Sequence, residues 1–270
     1  MLSSTTTFSF SDHIHDDNEK KQTLDKLFHS DHAKRWNNAL RNELGCLTQS
    51  NDAGVPHQDA MDLIFYEMPN NTKVANANFV CDIHPPKSEP WRVHLVVGGD
   101  KLIYDNDAGS PAASLLETKL LINSVISDAR KGARFMSLDL KDFFLKSPMK
   151  DAENMRIHKK YLPQDIVKRY NLETKLHHDY FYCKIKRGIY GLKQAAMLAY
   201  NFLKQNLALY GYEPIPHTDG LWRLKTRKIN FCLCVDDFGI KYFHKDSVLQ
   251  RNYQLSTDWR GKNFCGLTFD

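Results

Sequence analysis

The sequence lacks the segments that mark membrane and secreted proteins. No apolar run approaches the length of a membrane span, and the N-terminus has no basic start followed by an apolar stretch. Internal repeats are absent too, which argues against a solenoid. These absences predict a soluble protein that is not secreted, lies in the cytoplasm or the nucleus, and has no membrane partner.

The cysteines form no recognisable site. They include no C-x-x-C pair and show no even spacing, so neither a zinc site nor a disulfide framework is indicated. We interpret them as reduced, intracellular thiols. The six residues are Cys46, Cys81, Cys183, Cys232, Cys234 and Cys265.

Basic residues outnumber acidic residues only slightly. Lys and Arg number 37 and Asp and Glu 32, and the resulting net charge of +5 permits a polyanionic partner without requiring one. The chain has 270 residues, 42% of them hydrophobic, which is enough for one large core or two modest ones. Residues 1–29 are polar and mixed in charge, and we predict a flexible lead-in there.

Helical periodicity appears in three places. The first helix follows a capping residue, Ser30 or Asp31, and the second follows a capping box at residues 114–117. The third follows a glycine-containing turn and should stop at Gly211. The predicted buried stripes are Trp36, Leu40, Leu44 and Leu47; Leu116, Leu120, Val125 and Ile126; and Ala195, Leu198, Ala199, Phe202, Leu203 and Leu207.

Two adjacent carboxylates, Asp236 and Asp237, stand between short apolar runs in residues 231–242 (FCLCVDDFGIKY). This pattern is typical of a tight hairpin whose turn carries acids. Because adjacent like charges repel, a partly buried pair favours a neutralising cation, and ligands that are all oxygen favour Mg²⁺ or Mn²⁺. A polar turn without a ligand would also explain such a pair on its own.

Three further segments could supply binding groups. Residues 134–144 (RFMSLDLKDFF) predict a strand that presents Asp139 at its end. Residues 188–194 (GIYGLKQ) predict a turn whose glycines allow a ligand to approach, although a turn before a helix needs glycine for its own backbone. Residues 91–97 (WRVHLVV) predict a strand with Arg92 and His94 on one face, which suits either a phosphate or solvent.

These features combine into one kind of chemistry. Asp139 and Asp236 are 97 residues apart (236 − 139), so only a folded sheet can bring them together around shared ions. Nucleotidyl transfer uses such a set: carboxylates hold two metal ions, one lowering the pKa of a primer 3′-hydroxyl and the other stabilising the pyrophosphate leaving group. The protein then contributes positioning and charge more than covalent chemistry.

The ordered motifs resemble the reverse transcriptase domain of copia-type retrotransposon polyproteins. They are residues 135–144 (FMSLDLKDFF), 189–194 (IYGLKQ) and 234–237 (CVDD), and the family usually has Tyr where this chain has Cys234. The resemblance covers residues 31 to 270 and implies an α+β fold of the right-hand polymerase type. In that fold, fingers surround a palm whose antiparallel sheet is backed by helices.

The resemblance also implies how the chain is divided. A reverse transcriptase domain would occupy residues 30–270, after the lead-in. The fingers would comprise approximately residues 30–130 and 148–187, and the palm approximately residues 131–147 and 188–270. The thumb that clamps duplex product would be missing or truncated.

Carried over residue by residue, the resemblance implies a role for each motif position. Asp139, Asp236 and Asp237 would be the catalytic carboxylates and the metal ligands, with Leu140 beside them in the metal site. Phe144 would be the steric gate that rejects a ribose 2′-hydroxyl. The implied nucleotide contacts are Arg92, Lys141, Asp142, Phe143, Phe144, Tyr190, Gly191 and Lys193, and the implied primer grip is Phe264, Cys265, Gly266 and Leu267.

The implied function is an RNA-directed DNA polymerase domain of a retrotransposon. This nucleotidyltransferase would use two Mg²⁺ or Mn²⁺ ions, an RNA or DNA template with its primer, and deoxynucleoside triphosphates, with its oligomeric state left open. One alternative is a truncated, catalytically inactive remnant that keeps the fold and weak nucleic-acid binding. Another is an unrelated phosphohydrolase, against which Phe144 argues because a hydrolase has no use for sugar discrimination.

Overall fold

The computed structural model describes residues 22–48, 61–62, 73–83, 89–105, 108–224, 226, 228–243, 255–265 and 267–268. Two compact units make up the chain: residues 1–103 with 149–192, and residues 104–148 with 193–270. Both units combine helices with mostly antiparallel sheet, so the predicted α+β class is confirmed. Among the helices of the described residues, none has the length and hydropathy needed to span a bilayer.

The helices and strands are numbered in chain order. The helices are α1 (Leu24–Leu27), α2 (Ala33–Leu47), α3 (Leu115–Ser127), α4 (Gln164–Arg169) and α5 (Ala195–Ala208). The strands are β1 (Met61–Asp62), β2 (Ala75–Ile83), β3 (Trp91–Val97), β4 (Arg134–Leu140), β5 (Pro148–His158), β6 (Tyr180–Arg187), β7 (Tyr212–Pro214), β8 (Leu221–Leu224), β9 (Asn230–Cys234), β10 (Asp237–Tyr242), β11 (Leu255–Asp258), β12 (Asn263–Phe264) and β13 (Leu267–Thr268).

The first unit contains a sheet in the order β1-β6-β5-β2-β3 with α2 packed on β3. The neighbours β2 and β3 are antiparallel, and β2 and β5 are parallel. The predicted stripe of α2 is buried, and its Trp36 meets Trp91 of β3 edge to face, with ring centroids 4.8 Å apart. The hydrophobic period of 3.6 residues therefore located this helix and its packed face correctly.

Part of the predicted lead-in belongs to the folded first unit. Leu24 and Leu27 of α1 are buried, and the Asp25 carboxylate accepts hydrogen bonds from Lys160 Nζ at 2.7 Å and the Tyr161 hydroxyl at 3.0 Å. The prediction of a flexible segment is therefore wrong for residues 22–29, where burial of two leucines offsets the polar composition. Residues 1–21 lie outside the described residues.

The second unit is built on an antiparallel sheet in the order β11-β4-β10-β9-β8-β7. The helix α3 packs on β4, β9 and β10, and α5 packs on β7. The capping box of α3 is present as predicted: Ser114 Oγ accepts from the Leu116 N–H at 3.1 Å, and Glu117 accepts from the Ser114 N–H at 2.9 Å.

The buried face of α3 differs from the predicted one. Leu116, Leu120 and Ile126 are more than half exposed, whereas Thr118 and Leu121 are buried. Apolar and polar residues alternate around the circumference of this helix, so its hydrophobic period does not single out one face. Contact with the sheet selects the face instead.

The unit boundaries also differ from the predicted fingers and palm segments. We predicted divisions after approximately residues 130, 147 and 187, whereas the units divide after residues 103, 148 and 192. The largest difference concerns α3, which belongs to the second unit because it packs against strands of that unit's sheet.

A buried lysine connects the C-terminal end of α3 to the second unit's sheet by hydrogen bonds. Lys241 of β10 is 5% exposed, and its Nζ donates to Asp128 Oδ2 at 2.6 Å and to the Ser124 carbonyl at 2.9 Å. The hydrogen bonds of Lys131 and Lys241 lower the pKa of Asp128 to about 2. The stability that Asp128 contributes is therefore present above its ordinary pKa of 3.8 and is lost as the pH falls through about 2.

Asp128→Asn should lower the Tm at pH 7, because it leaves a buried ammonium facing only neutral acceptors. Lys131→Gln is the matched control: Lys131 also bonds Asp128, but its side chain is 74% exposed. Thermal melts by circular dichroism should show a clear loss for Asp128→Asn and little change for Lys131→Gln. Equal losses would contradict the role given to Lys241.

Candidate active site

The predicted hairpin is present in the second unit. Strands β9 and β10 are antiparallel, with Cys234 opposite Asp237, so Val235 and Asp236 form a two-residue turn. Val235 has φ +61°, a left-handed conformation that costs a β-branched residue of the order of 1–3 kcal/mol. Backbone strain is thus concentrated next to the acid pair.

Pairing between β4 and β10 brings a third carboxylate to the hairpin. Asp139 pairs with Asp237 in antiparallel register, which puts the two side chains on the same face of the sheet. The N–H of Leu140 donates to the Asp236 carbonyl at 3.0 Å and ties the end of β4 to the turn. Asp139, which is distant in the sequence, therefore lies with the adjacent pair Asp236 and Asp237 at one end of the sheet.

Burial and neighbouring carboxylates raise the pKa values of Asp236 and Asp237. Burial raises the pKa of Asp236 to about 6, and the charges of Asp237 and Asp139 add to the increase. Burial and the charge of Asp139 raise the pKa of Asp237, also to about 6. Without a counterion the folded chain therefore disfavours the ionised forms, which a bound cation would favour.

Two thiols adjoin the acid pair. Cys265 Sγ lies 3.8 Å from Asp237 Oδ2, and this hydrogen bond lowers the pKa of Asp237 against the larger effect of burial. Hydrogen bonding to Cys234, together with burial, raises the pKa of the Cys265 thiol, which keeps it protonated as a donor. The sequence offered no signal for the contact between Cys234 and Cys265, because the two residues are 31 positions apart (265 − 234).

In the absence of metal, the acid pair should make stability fall as the pH rises from about 4 to about 6. The folded-state pKa values of Asp236 and Asp237 are about 6 and the ordinary value is 3.8, so between these limits the folded state binds more protons than the unfolded state. The double variant Asp236→Asn/Asp237→Asn should be less sensitive to pH in this window. Melts in EDTA at pH 4, 5, 6 and 7 test this, and parallel Tm profiles of the two proteins would contradict it.

The three carboxylates suit a hard divalent cation. Carboxylate oxygens are the ligands that Mg²⁺ and Mn²⁺ prefer, and cation binding would relieve their mutual repulsion. Within the described part of the chain, no group of three or more His, Cys, Asp or Glu residues forms a ready-made metal site. Magnesium usually takes one or two protein carboxylates and completes its shell with other oxygen ligands, so a set smaller than three carboxylates can still hold it.

The segment after Asp139 turns sharply. Asp142 has φ +55°, Lys141 is exposed, and Phe143 and Phe144 are buried with ring centroids 5.6 Å apart. The N–H of Leu140 is bonded to the Asp236 carbonyl and so is not available to a ligand. Phosphate contacts by this segment would therefore fall to residues 141–143.

The other predicted nucleotide contacts are divided between the units. Arg92, Tyr190 and Gly191 belong to the first unit, where the Tyr190 carbonyl accepts from the Val97 N–H at 2.8 Å. Lys193 belongs to the second unit and is exposed, one residue before the N-cap of α5. The nucleotide-binding roles of these residues stay predictions.

The predicted primer grip lies beside the acid hairpin. Phe264 of β12 is buried against Phe135 of β4, with ring centroids 6.1 Å apart, and it pairs with Leu267 of β13. Cys265 follows at φ +46° and contacts Asp237 as described above. Gly266 lies outside the described residues.

Comparison with known proteins gives distant matches among solved structures. No family model matches the chain, and no curated protein matches it. Among solved structures it is similar to apo telomerase from Candida tropicalis, with 11% identity and a TM-score of 0.40, over 79% of this chain and 45% of that one. Telomerase from Candida albicans in complex with a telomeric RNA fragment matches with 10% identity and a TM-score of 0.33, over 68% and 40%.

The chain thus spans less than half the length of either telomerase. Identities and TM-scores this low carry no argument about function. The functional assignment depends instead on the carboxylates and their surroundings.

Proposed function

We propose that this chain is an RNA-directed DNA polymerase domain of a retrotransposon, which adds deoxynucleotides to a primer by two-metal nucleotidyl transfer. The observation that supports it most is the register of β4 and β10, which sets Asp139 opposite Asp237 with Asp236 in the adjoining turn. The order of the three sequence motifs supports the copia-type relationship. In this proposal the second unit is the palm and the first unit the fingers.

The residues of the second unit would act by holding charge in place. Asp139, Asp236 and Asp237 would hold the divalent ions, and the hydrogen bond from Leu140 to the Asp236 carbonyl would keep the turn in register with β4. When bound, the ions would lower the pKa of the primer 3′-hydroxyl and stabilise the pyrophosphate that leaves. Phe144, packed against Phe143, would provide the flat ring that excludes a ribose 2′-hydroxyl.

The test supplies the full chain with Mg²⁺, a primer annealed to an RNA template, and either deoxynucleoside or ribonucleoside triphosphates. The proposal predicts that nucleotides complementary to the template are added to the primer, and that deoxynucleotides are preferred over ribonucleotides. Free nucleoside monophosphate with an unchanged primer would identify a phosphohydrolase instead. Template binding with no turnover would identify an inactive remnant that keeps nucleic-acid binding.

A further inference from the structure

One face of the first unit's sheet combines rings and positive charges. Along β6, half-exposed or exposed residues alternate with the buried Phe181, Cys183 and Ile185, and β5 alternates in the same way around Met155 and Ile157. Strands β5 and β6 are neighbours in the sheet, so their accessible side chains form one surface. We call this surface the aromatic-basic face: Arg156, His158, Tyr180, Tyr182 and Lys184.

Contacts within the aromatic-basic face hold its rings in fixed positions. The Arg156 guanidinium lies 4.7 Å from the centroid of the Tyr180 ring, and its Nε donates to Asn76 Oδ1 at 2.7 Å. The ring of His158 meets that of Tyr180 edge to face at 5.1 Å, and the Tyr182 ring lies 6.2 Å from that of His177. The face is therefore ordered before any partner binds, which lowers the entropy lost on binding.

The segment that contains β5 and β6 carries a net positive charge. Residues 149–192 contain ten Lys and Arg and five Asp and Glu, a net charge of +5 that equals the net charge of the whole chain. A polyanion is the partner whose charge complements this segment.

We propose that the aromatic-basic face binds single-stranded nucleic acid, with unpaired bases stacked on its rings and the phosphates near Lys184 and Arg156. Unpaired bases stack on Tyr rings and on guanidinium planes, whereas paired bases in a duplex do not expose their faces. An acidic protein segment would use the charges but not the rings. The inference deepens the proposed function by naming a surface for unpaired template, but its test needs no catalysis.

The test measures binding of fluorescein-labelled oligothymidylate, twelve nucleotides long, to the full chain in EDTA at low salt. An abasic oligonucleotide of the same length and charge is the comparison. Because stacking contributes roughly 1–3 kcal/mol per base, oligothymidylate should bind at least about tenfold more tightly than the abasic strand. Equal affinity for the two strands would overturn the proposal.

Variants then locate the binding surface. Tyr180→Ala/Tyr182→Ala should abolish the preference for bases, and Tyr180→Phe/Tyr182→Phe should retain it, since the rings remain. Tyr210→Ala removes an exposed tyrosine of the second unit and should change nothing. Lys184→Gln should weaken the binding of both strands alike and should reduce the slope of log affinity against log salt concentration by about 1.

Retention of the base preference in a folded alanine variant would overturn the assignment to this face. If that variant does not fold, unchanged affinity and salt slope in Lys184→Gln would overturn it instead. Base-dependent binding without primer extension would leave this inference standing and remove only the polymerase. Primer extension without base-dependent binding would overturn this inference and leave the polymerase proposal standing.

Discussion

Asp139→Asn should reduce metal-dependent primer extension by at least about 10³-fold, since a charge that holds catalytic ions contributes several kcal/mol to the barrier. Asp139 pairs with Asp237 and raises the pKa of both Asp236 and Asp237. Its replacement by a neutral isostere therefore changes the charge of the cluster and leaves the strand pairing intact. Single-nucleotide extension rates, measured at saturating Mg²⁺, give the fold change directly.

The same substitution should raise the metal-free Tm at pH 7, because it removes one of three mutually repelling carboxylates. Loss of activity with unchanged or increased stability separates a metal-binding role from a structural one. Asp219→Asn is the matched control, an exposed aspartate of the second unit that should affect neither property. An Asp139→Asn protein that extends primers at the wild-type rate would contradict the assignment of this residue.

Gly191→Ala should destabilise the first unit by about 3 kcal/mol or more. A Cβ at Gly191 would lie 2.1 Å from the Val97 carbonyl oxygen and 2.8 Å from Val97 N, which is too close for any side chain. The turn could move away only by breaking the 2.8 Å hydrogen bond from the Val97 N–H to the Tyr190 carbonyl. Glycine is therefore needed here for the turn to pack on β3. This is the structural one of the two explanations that the sequence had left open, the other being the approach of a ligand.

Gly132→Ala measures the cost of the left-handed backbone conformation without the steric contact found at Gly191. Gly132 has the same φ of +91°, but a Cβ there would meet nothing within 4 Å. Its substitution should cost only about 1–2 kcal/mol, the penalty for an L-residue in the left-handed region. Urea unfolding followed by circular dichroism measures both variants, and equal losses would show that close packing against β3 is unimportant.

The features that the sequence predicted well are those encoded within short segments. The α2 stripe, the capping box of α3 and the acid hairpin each depend on residues fewer than about fifteen positions apart, where periodicity and turn chemistry apply. The neighbouring positions of Asp139 and Asp237 were inferred from their shared chemistry, and the strand register supplies the contact itself.

Tertiary contacts decided what the sequence could not. The face of α3 that packs on the sheet could not be predicted, because the apolar residues of this helix are spread around its circumference. The packing of that face changed the division of the chain into units. The thiols beside Asp237 and the buried Lys241 carried no local signal, because their partners are distant in the sequence. The aromatic-basic face did have a signal, the alternation along β6, but its meaning depends on the adjoining β5.

The central claim is that the carboxylates of the second unit catalyse template-directed nucleotide addition. Its most direct test is primer extension on an RNA template at low salt, in Mg²⁺ and in Mn²⁺, by the full chain and its Asp236→Asn variant side by side. Circular dichroism and a template-binding assay would first establish that both proteins are folded and bound. The account predicts template-complementary product from the wild-type chain alone. No product from a folded, template-bound wild-type chain, or equal product from both proteins, would contradict it.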